Sequence, residues 1–176
     1  DQVIDATVAK FGGIDVVVNN AGVALPDVAD MLSDESFDTM MATNVGGVRN
    51  MVLAALPALR KSRGNIVNVS SVSGMGGDWA MYGYNASKGA VTLMTQGLAL
   101  DLGKEGIRVN AVAPATTNTR LTAPLQHAPR VSSALRRRIP MGRMVEPEEV
   151  ASAIAFLAGP DAAFVNGVIL PVDGGL

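Results

Sequence analysis

Tyr84 and Lys88 stand four residues apart, a spacing that places both side chains on one face of a helix. A phenol titrates near pH 10, and lowering that value by three units takes about 4 kcal/mol of preference for the phenolate. An ammonium about 4 Å away in partly screened surroundings supplies energy of that order. One well-placed lysine therefore suffices to make a tyrosine useful in acid–base chemistry at neutral pH. Alone the pair carries little weight, because a chain of 176 residues can hold one by accident. Tyr82 is an internal control: four residues further on stands Ala86.

Three other positions share this chemical character. Ser71 follows the β-branched run Asn65 to Ser70, and a hydroxyl at the carboxyl end of a strand can hydrogen-bond a substrate oxygen or simply form a turn. Asn44 lies close to Gly46-Gly47 inside a helical stretch, where two glycines cost on the order of 1 kcal/mol each against alanine and point to distortion or close packing. Distortion frees backbone groups that an asparagine and a water can use. Asn19-Asn20-Ala21-Gly22 directly follows another β-branched run, and small residues there let a ligand approach the backbone.

The elements that must position these residues are legible as alternating strands and helices. The runs Ile14 to Val18, Asn65 to Val69, Ile107 to Val112 and Val168 to Val172 read as strands covered on both faces, since their apolar residues are consecutive. Helices are expected over Asp1 to Phe11, from the Ser33 cap to Arg60 with a kink from Pro57, over Tyr82 to Gly103, and from Pro147 to Gly159-Pro160. Such alternation implies an α/β fold, a Rossmann-like doubly wound parallel sheet. The stretch Ala115 to Arg143, rich in proline and without a long periodic run, reads as a lid or binding loop. Nothing upstream of Ile14 except one helix is present to pair with the far edge of that first strand.

The composition narrows the class. The chain is 48% hydrophobic and 17% charged, carries no cysteine, and has a formal charge of -2. A domain of this size buries roughly 70% of its unfolded surface and needs no disulfide. A near-neutral charge with 4% aromatic residues argues against nucleic-acid binding, and no apolar run reaches the roughly 20 residues of a membrane span. No secretory signal pattern is present, so a cytoplasmic location is expected. The chain begins at Asp1 rather than Met, which suggests a start inside a longer product.

Taken in order, Asn19-Asn20-Ala21-Gly22, Asn44, Ser71 thirteen residues before Tyr84, Tyr84-Asn85-Ala86-Ser87-Lys88, Ile107 to Pro114 and Val172-Asp173-Gly174-Gly175 resemble the short-chain dehydrogenase/reductase family. The resemblance covers essentially all 176 residues. It implies hydride transfer between NAD or NADP and a small carbonyl or secondary-alcohol substrate. In that reading Tyr84 is the general acid or base; Lys88 lowers its pKa and holds the nicotinamide ribose; Ser71 orients the substrate oxygen; Asn44 binds a water of the proton relay. Asn20, Ala21 and Gly22 lie along the cofactor, and Pro114, Thr117 and Thr119 approach its nicotinamide end. A homodimer or homotetramer through the two long helices is implied as well.

Some positions depart from the pattern. Ala115 stands where the family has glycine, which is harmless only with φ below zero, and Gly159-Pro160 replaces a polar pair. The family's N-terminal glycine-rich nucleotide-binding segment is absent, so the chain is expected to be the C-terminal part of a single Rossmann-like domain, holding strands 4-5-6-7 of the order 3-2-1-4-5-6-7. Gly74-Met75-Gly76-Gly77 does not replace it and is expected to shape the substrate pocket with Trp79 and Met81. A non-catalytic remnant that serves as a binding or oligomerisation module is the alternative. Five of the fourteen basic residues fall between Arg130 and Arg143, expected as a solvated lid face, with a phosphate or coenzyme A site as the alternative. His127 is given no metal role.

Overall fold

Consecutive β-branched residues favour extended backbone whose two sides both need cover. In the computed structural model, which describes residues 2–176, they form four parallel strands: β1 (Val16–Asn19), β2 (Asn65–Val69), β3 (Arg108–Pro114) and β4 (Ile169–Val172). The strands are paired in chain order, β1-β2-β3-β4. Val17 lies opposite Ile66, and Ile66 opposite Val109, so these three side chains point to the same side. Helices α1 (Gln2–Phe11), α3 (Gly47–Ser62) and α4 (Tyr82–Leu102) cover that side with Ile4, Val52, Leu59, Val91 and Leu102. The opposite side presents Val67 and Val112 to Val150 and Leu157 of α7 (Pro147–Ala158). Each fully buried Val or Leu side chain stabilises the fold by roughly 1.5–3 kcal/mol relative to exposure.

Cover is incomplete at one place. Val17 is buried, but Val16 and Val18 remain 39% and 44% exposed, so the expectation that β1 is covered on both faces holds for one face only. The reason is positional: α7 packs on β2, β3 and β4, leaving the second face of the edge strand β1 open among the described residues.

The stretch expected as one helix from Ser33 is divided. Ser33 caps α2 (Asp34–Met40), its hydroxyl accepting from the Ser36 N–H at 3.1 Å. A π-helical segment, Met41–Gly46, then joins α2 to α3, which is the distortion foreshadowed by Gly46-Gly47. Pro57 lies within α3 without ending it. The segment after β3 also differs from expectation. It contains α5 (Ala123–Gln126) and a ten-residue helix, α6 (Pro129–Arg138), in which Pro129 occupies the first turn. A mean polarity imposed by four arginines hides this helix from an apolar-period reading, while Arg136, Arg137 and Arg138 suit its C-terminal dipole. Ala115 has no positive φ, so the methyl that replaces glycine is accommodated; its N–H donates to the Val172 carbonyl at 3.1 Å.

The turn from α3 into β2 depends on a close backbone approach. A Cβ on Gly64 would stand 2.1 Å from the Asp15 carbonyl oxygen, an atom already accepting from the Asn65 N–H. Gly64→Ala is expected to destabilise the protein by about 3 kcal/mol or to prevent folding, whereas Gly76→Ala, which meets nothing within 4 Å, changes stability by less than about 1 kcal/mol. Chemical denaturation midpoints of the two variants check this contrast.

Candidate active site

The carboxyl ends of parallel strands are where an open α/β sheet places ligands. There β2 delivers Ser70 and Ser71, β1 delivers the loop from Asn20 to Val23, and α4 starts two residues before Tyr84. A polar ladder fixes these elements relative to one another. Asn19 Nδ2 donates to Asn68 Oδ1 at 2.8 Å, Asn68 Nδ2 donates to Thr95 Oγ1 at 2.9 Å, and Thr95 Oγ1 donates to the Val91 carbonyl at 2.8 Å. Asn68 is fully buried, so its place in an Asn-x-Ser sequon has no consequence for modification. Ser70 adds a second link, donating to the Lys88 carbonyl at 3.1 Å and pairing with Thr92 Oγ1 at 2.8 Å.

Ser71 opens a 3₁₀ turn, Val72–Gly74, its hydroxyl accepting from the Ser73 N–H at 3.1 Å. That turn presses on α4: a Cβ on Gly74 would lie 2.6 Å from both the carbonyl carbon and the oxygen of Lys88. Only the first glycine of Gly74-Met75-Gly76-Gly77 is thus required by packing, since a Cβ on either of the others meets nothing within 4 Å. Trp79, expected in the pocket wall, is 91% exposed.

Tyr84 and Lys88 share one face of α4 as their spacing requires, with Lys88 Nζ 5.8 Å from the Tyr84 ring centroid. The Lys88 ammonium is buried and donates to the Val69 carbonyl at 2.8 Å. Tyr82, by contrast, stacks on Phe37 with ring centroids 6.3 Å apart.

Titration differs from the sequence-based expectation in direction. Burial holds the Tyr84 phenol above its ordinary pKa, with the Ser71 hydroxyl pulling the other way. Burial also pushes the Lys88 ammonium down to about 8. Desolvation is the dominant influence on both groups, and it favours the neutral phenol at Tyr84. The pair is a protonated phenol beside an ammonium that exchanges protons near neutrality.

Asn44 sits in the π-helical segment, 1% exposed. Its Nδ2 donates to the Val23 carbonyl and to Ser87 Oγ, both at 2.9 Å, and its Oδ1 accepts from the Val23 N–H at 2.8 Å. Both amide protons are consumed, leaving one Oδ1 lone pair for a further donor. Gly22 lies against the same side chain: a Cβ there would be 3.1 Å from Asn44 Oδ1 and 3.4 Å from Lys88 Nζ. Asn44, Ser71, Tyr84 and Lys88 are accordingly assembled in one place, with exposed Asn20, Ala21 and Gly22 along the rim.

Pro114 ends β3 at the same edge, but Thr117 and Thr119 form no hydrogen bond to this group: Thr117 Oγ1 donates to the Ala115 carbonyl at 3.0 Å, and Thr119 N–H donates to Thr122 Oγ1 at 3.2 Å. His127 Nδ1 lies 2.7 Å from the Ala123 carbonyl oxygen, within its own turn. Ser87 was overlooked by sequence reasoning. It joins the Tyr84 carbonyl at 2.8 Å to Asn44, and its place one residue before Lys88 on the helix was the available signal.

A parallel α/β sheet with an Asn-Ser-Tyr-Lys group at its carboxyl edge defines a class of oxidoreductases, and sequence comparison agrees. The family model described as "Enoyl-(Acyl carrier protein) reductase" matches residues 1–176, and the chain belongs to the short-chain dehydrogenase/reductase family. It is 41% identical over 175 residues to meso-2,3-butanediol dehydrogenase of Serratia marcescens, covering 99% of this chain and 69% of that protein. It is also 41% identical over 176 residues to the 3-oxoacyl-[acyl-carrier-protein] reductase FabG of Thermotoga maritima, covering 99% and 71%. Among solved structures, a gluconate 5-dehydrogenase from Burkholderia cenocepacia in complex with NADP and tartrate superposes with a TM-score of 0.95 at 35% identity, over 99% of this chain and 69% of that one. No helix of the described residues is long and apolar enough to cross a membrane.

The lowered pKa of Lys88 has a signed consequence for stability. The unfolded chain binds the Lys88 proton up to about pH 10.5 and the folded chain only up to about 8, so wild type gains stability as pH rises between those values. The gain over that window is expected on the order of 3 kcal/mol and should vanish in Lys88→Met. Denaturant unfolding of both proteins at pH 7.5 and 10.5 measures it. Asn44→Leu, which strands the Val23 amide groups, should cost about 3 kcal/mol by the same method.

Proposed function

We propose that this chain is the catalytic portion of a nicotinamide-dependent oxidoreductase that interconverts a carbonyl and a secondary alcohol. The observation that carries the reading is the convergence of Ser71, Tyr84 and Lys88 at the carboxyl edge of the sheet, with Gly22 and Asn44 beside the ammonium. These residues fit the nicotinamide half of NAD or NADP. A side chain at Gly22 would crowd Asn44 Oδ1 at 3.1 Å, so with glycine a ligand there meets backbone, and the neighbouring Asn20 and Ala21 are open to it. Pro114, Thr117 and Thr119 would border the nicotinamide from the β3 side.

Such a cofactor, when bound, supplies or accepts the hydride. Orientation and proton supply fall to the protein. Ser71 holds the substrate oxygen beside Tyr84. Tyr84, kept protonated by burial, donates its phenolic proton to that oxygen during reduction. In alcohol oxidation the steps reverse, Tyr84 first passing its proton to the neutral Lys88 amine and then, as phenolate, taking the proton of the alcohol. Lys88 would hold the ribose hydroxyls and, with a pKa near 8, restores the proton to Tyr84. Asn44 clamps the loop through Val23 and so keeps Gly22 in place.

Residues outside this chain are inferred to complete the nucleotide site and to cover β1. The exposed side chains of Val16 and Val18 support this, as does the fact that the chain spans 69–72% of the first relatives it matches. Self-association is inferred from apolar side chains left on the outer helices: Leu53 on α3 is 51% exposed, and Leu93 and Leu100 on α4 are 69% and 82% exposed.

Tyr84→Phe in the natural protein is expected to lower kcat by about 10²- to 10⁴-fold without changing the circular dichroism spectrum. The assay follows NAD(P)H absorbance with meso-2,3-butanediol and a 3-oxoacyl thioester among a panel of alcohols and carbonyls. Turnover retained by the variant would overturn the role of Tyr84. Failure of the unaltered protein to bind NADH or NADPH would favour a non-catalytic binding module.

A further inference from the structure

Between Thr119 and Arg138 the hydrogen bonds close almost entirely on themselves. Thr122 serves Thr117 and Thr119, Gln126 reaches Thr122, Arg136 reaches Ser132, and Arg137 reaches Ser133. Among the described residues one polar contact leaves the segment for the body of the fold: Arg138 Nη1 to Asp78 Oδ1, 2.6 Å. Within 119–138 apolar anchoring is slight, since Leu121, Leu125 and Val131 are all more than a third exposed and Ser132 is the one buried residue of α6; the next apolar anchor is the buried Ile139, directly after Arg138.

Asp78 is tied to the reacting groups. Its Oδ2 accepts from Ser73 Oγ at 3.2 Å, and the Ser73 N–H donates to the Ser71 hydroxyl at 3.1 Å. Its carbonyl oxygen accepts from Nδ2 of Asn85, the residue after Tyr84, at 3.1 Å. The paired Arg138 and Asp78 also line a cavity of about 260 Å³ whose walls include Val72, Ser73 and Asp173.

We propose that the Arg138–Asp78 ion pair is the latch that holds the 119–138 segment closed beside the Ser71–Tyr84 centre, making Arg138 a positioning residue for substrate. The latch itself follows from the contacts alone; its effect on turnover rests on the function proposed above. With side chains 41% and 26% exposed, the pair is a weak solvent-facing contact. Such a bond biases closure by a small factor and releases readily, which suits a segment that must open in every cycle.

Amide hydrogen exchange of the chain, followed by mass spectrometry, tests the latch without cofactor or substrate. Arg138→Gln and Asp78→Asn are each expected to speed exchange in residues 119–138 by about two- to fivefold while residues 82–102 keep wild-type rates. Arg138→Lys, which retains the charge, should stay within about twofold of wild type. Unchanged exchange at 119–138 in both neutral variants overturns the proposal, as does equal acceleration at 82–102, which would mark a general loss of stability. In the natural protein, with the substrate that serves the Tyr84→Phe assay, Arg138→Gln should raise KM severalfold and leave kcat within about twofold. An unaltered KM would remove the positioning role. Absence of turnover in the unaltered protein would instead count against the proposed function, and the exchange result would still decide the latch.

Discussion

A buried ammonium governs this structure. Lys88 is 5% exposed, and a charge removed from water is costly unless neighbouring groups compensate. The Val69 carbonyl receives one of its protons, which ties the end of β2 to α4. Gly74 is small because the Lys88 backbone lies against it, and Gly22 packs beside Asn44 Oδ1 and the Lys88 ammonium. The cost of holding the charge shows in its depressed pKa, and that depression is also what fits the group to exchange protons near neutrality. A structural expense and a chemical property have the same origin.

Much of this was readable in the residues. Strand positions followed from consecutive β-branched residues, and the Tyr84–Lys88 face followed from helical spacing. Gly46-Gly47 signalled the distortion that holds Asn44. What could not be read depends on long-range partners. Whether burial or charge dominates at Tyr84 is decided by tertiary packing, and local spacing holds no information about it. The edge exposure of Val16 and Val18 depends on where α7 lies, more than a hundred residues along the chain. Helix α6 was missed because arginines suppress an apolar period, although Pro129 and the terminal basic cluster were both valid boundary signals.

The two sides of the sheet carry different duties. Helices α1, α3 and α4 form an extensive apolar layer on one side, and the asparagine-threonine ladder runs through its upper end toward the site. The other side is narrower, built on α7 and a smaller cluster. Rigid support is thus concentrated beneath Ser71, Tyr84 and Lys88. The loosely held 119–138 segment follows β3 in the chain.

The π-helical segment at Met41–Gly46 makes chain length itself a constraint. An α-helical residue turns the chain by about 100°, and a π segment accommodates one residue beyond the regular count. Removing a single residue between Met41 and Gly46 would restore an unbroken helix and satisfy its local backbone bonds. It would also rotate Asn44 away from Val23 and Ser87, or rotate α2 against its packing on α4. A deletion that looks benign to the helix is therefore closed to this protein, and the length of this stretch should be as tightly kept as any side chain in the site.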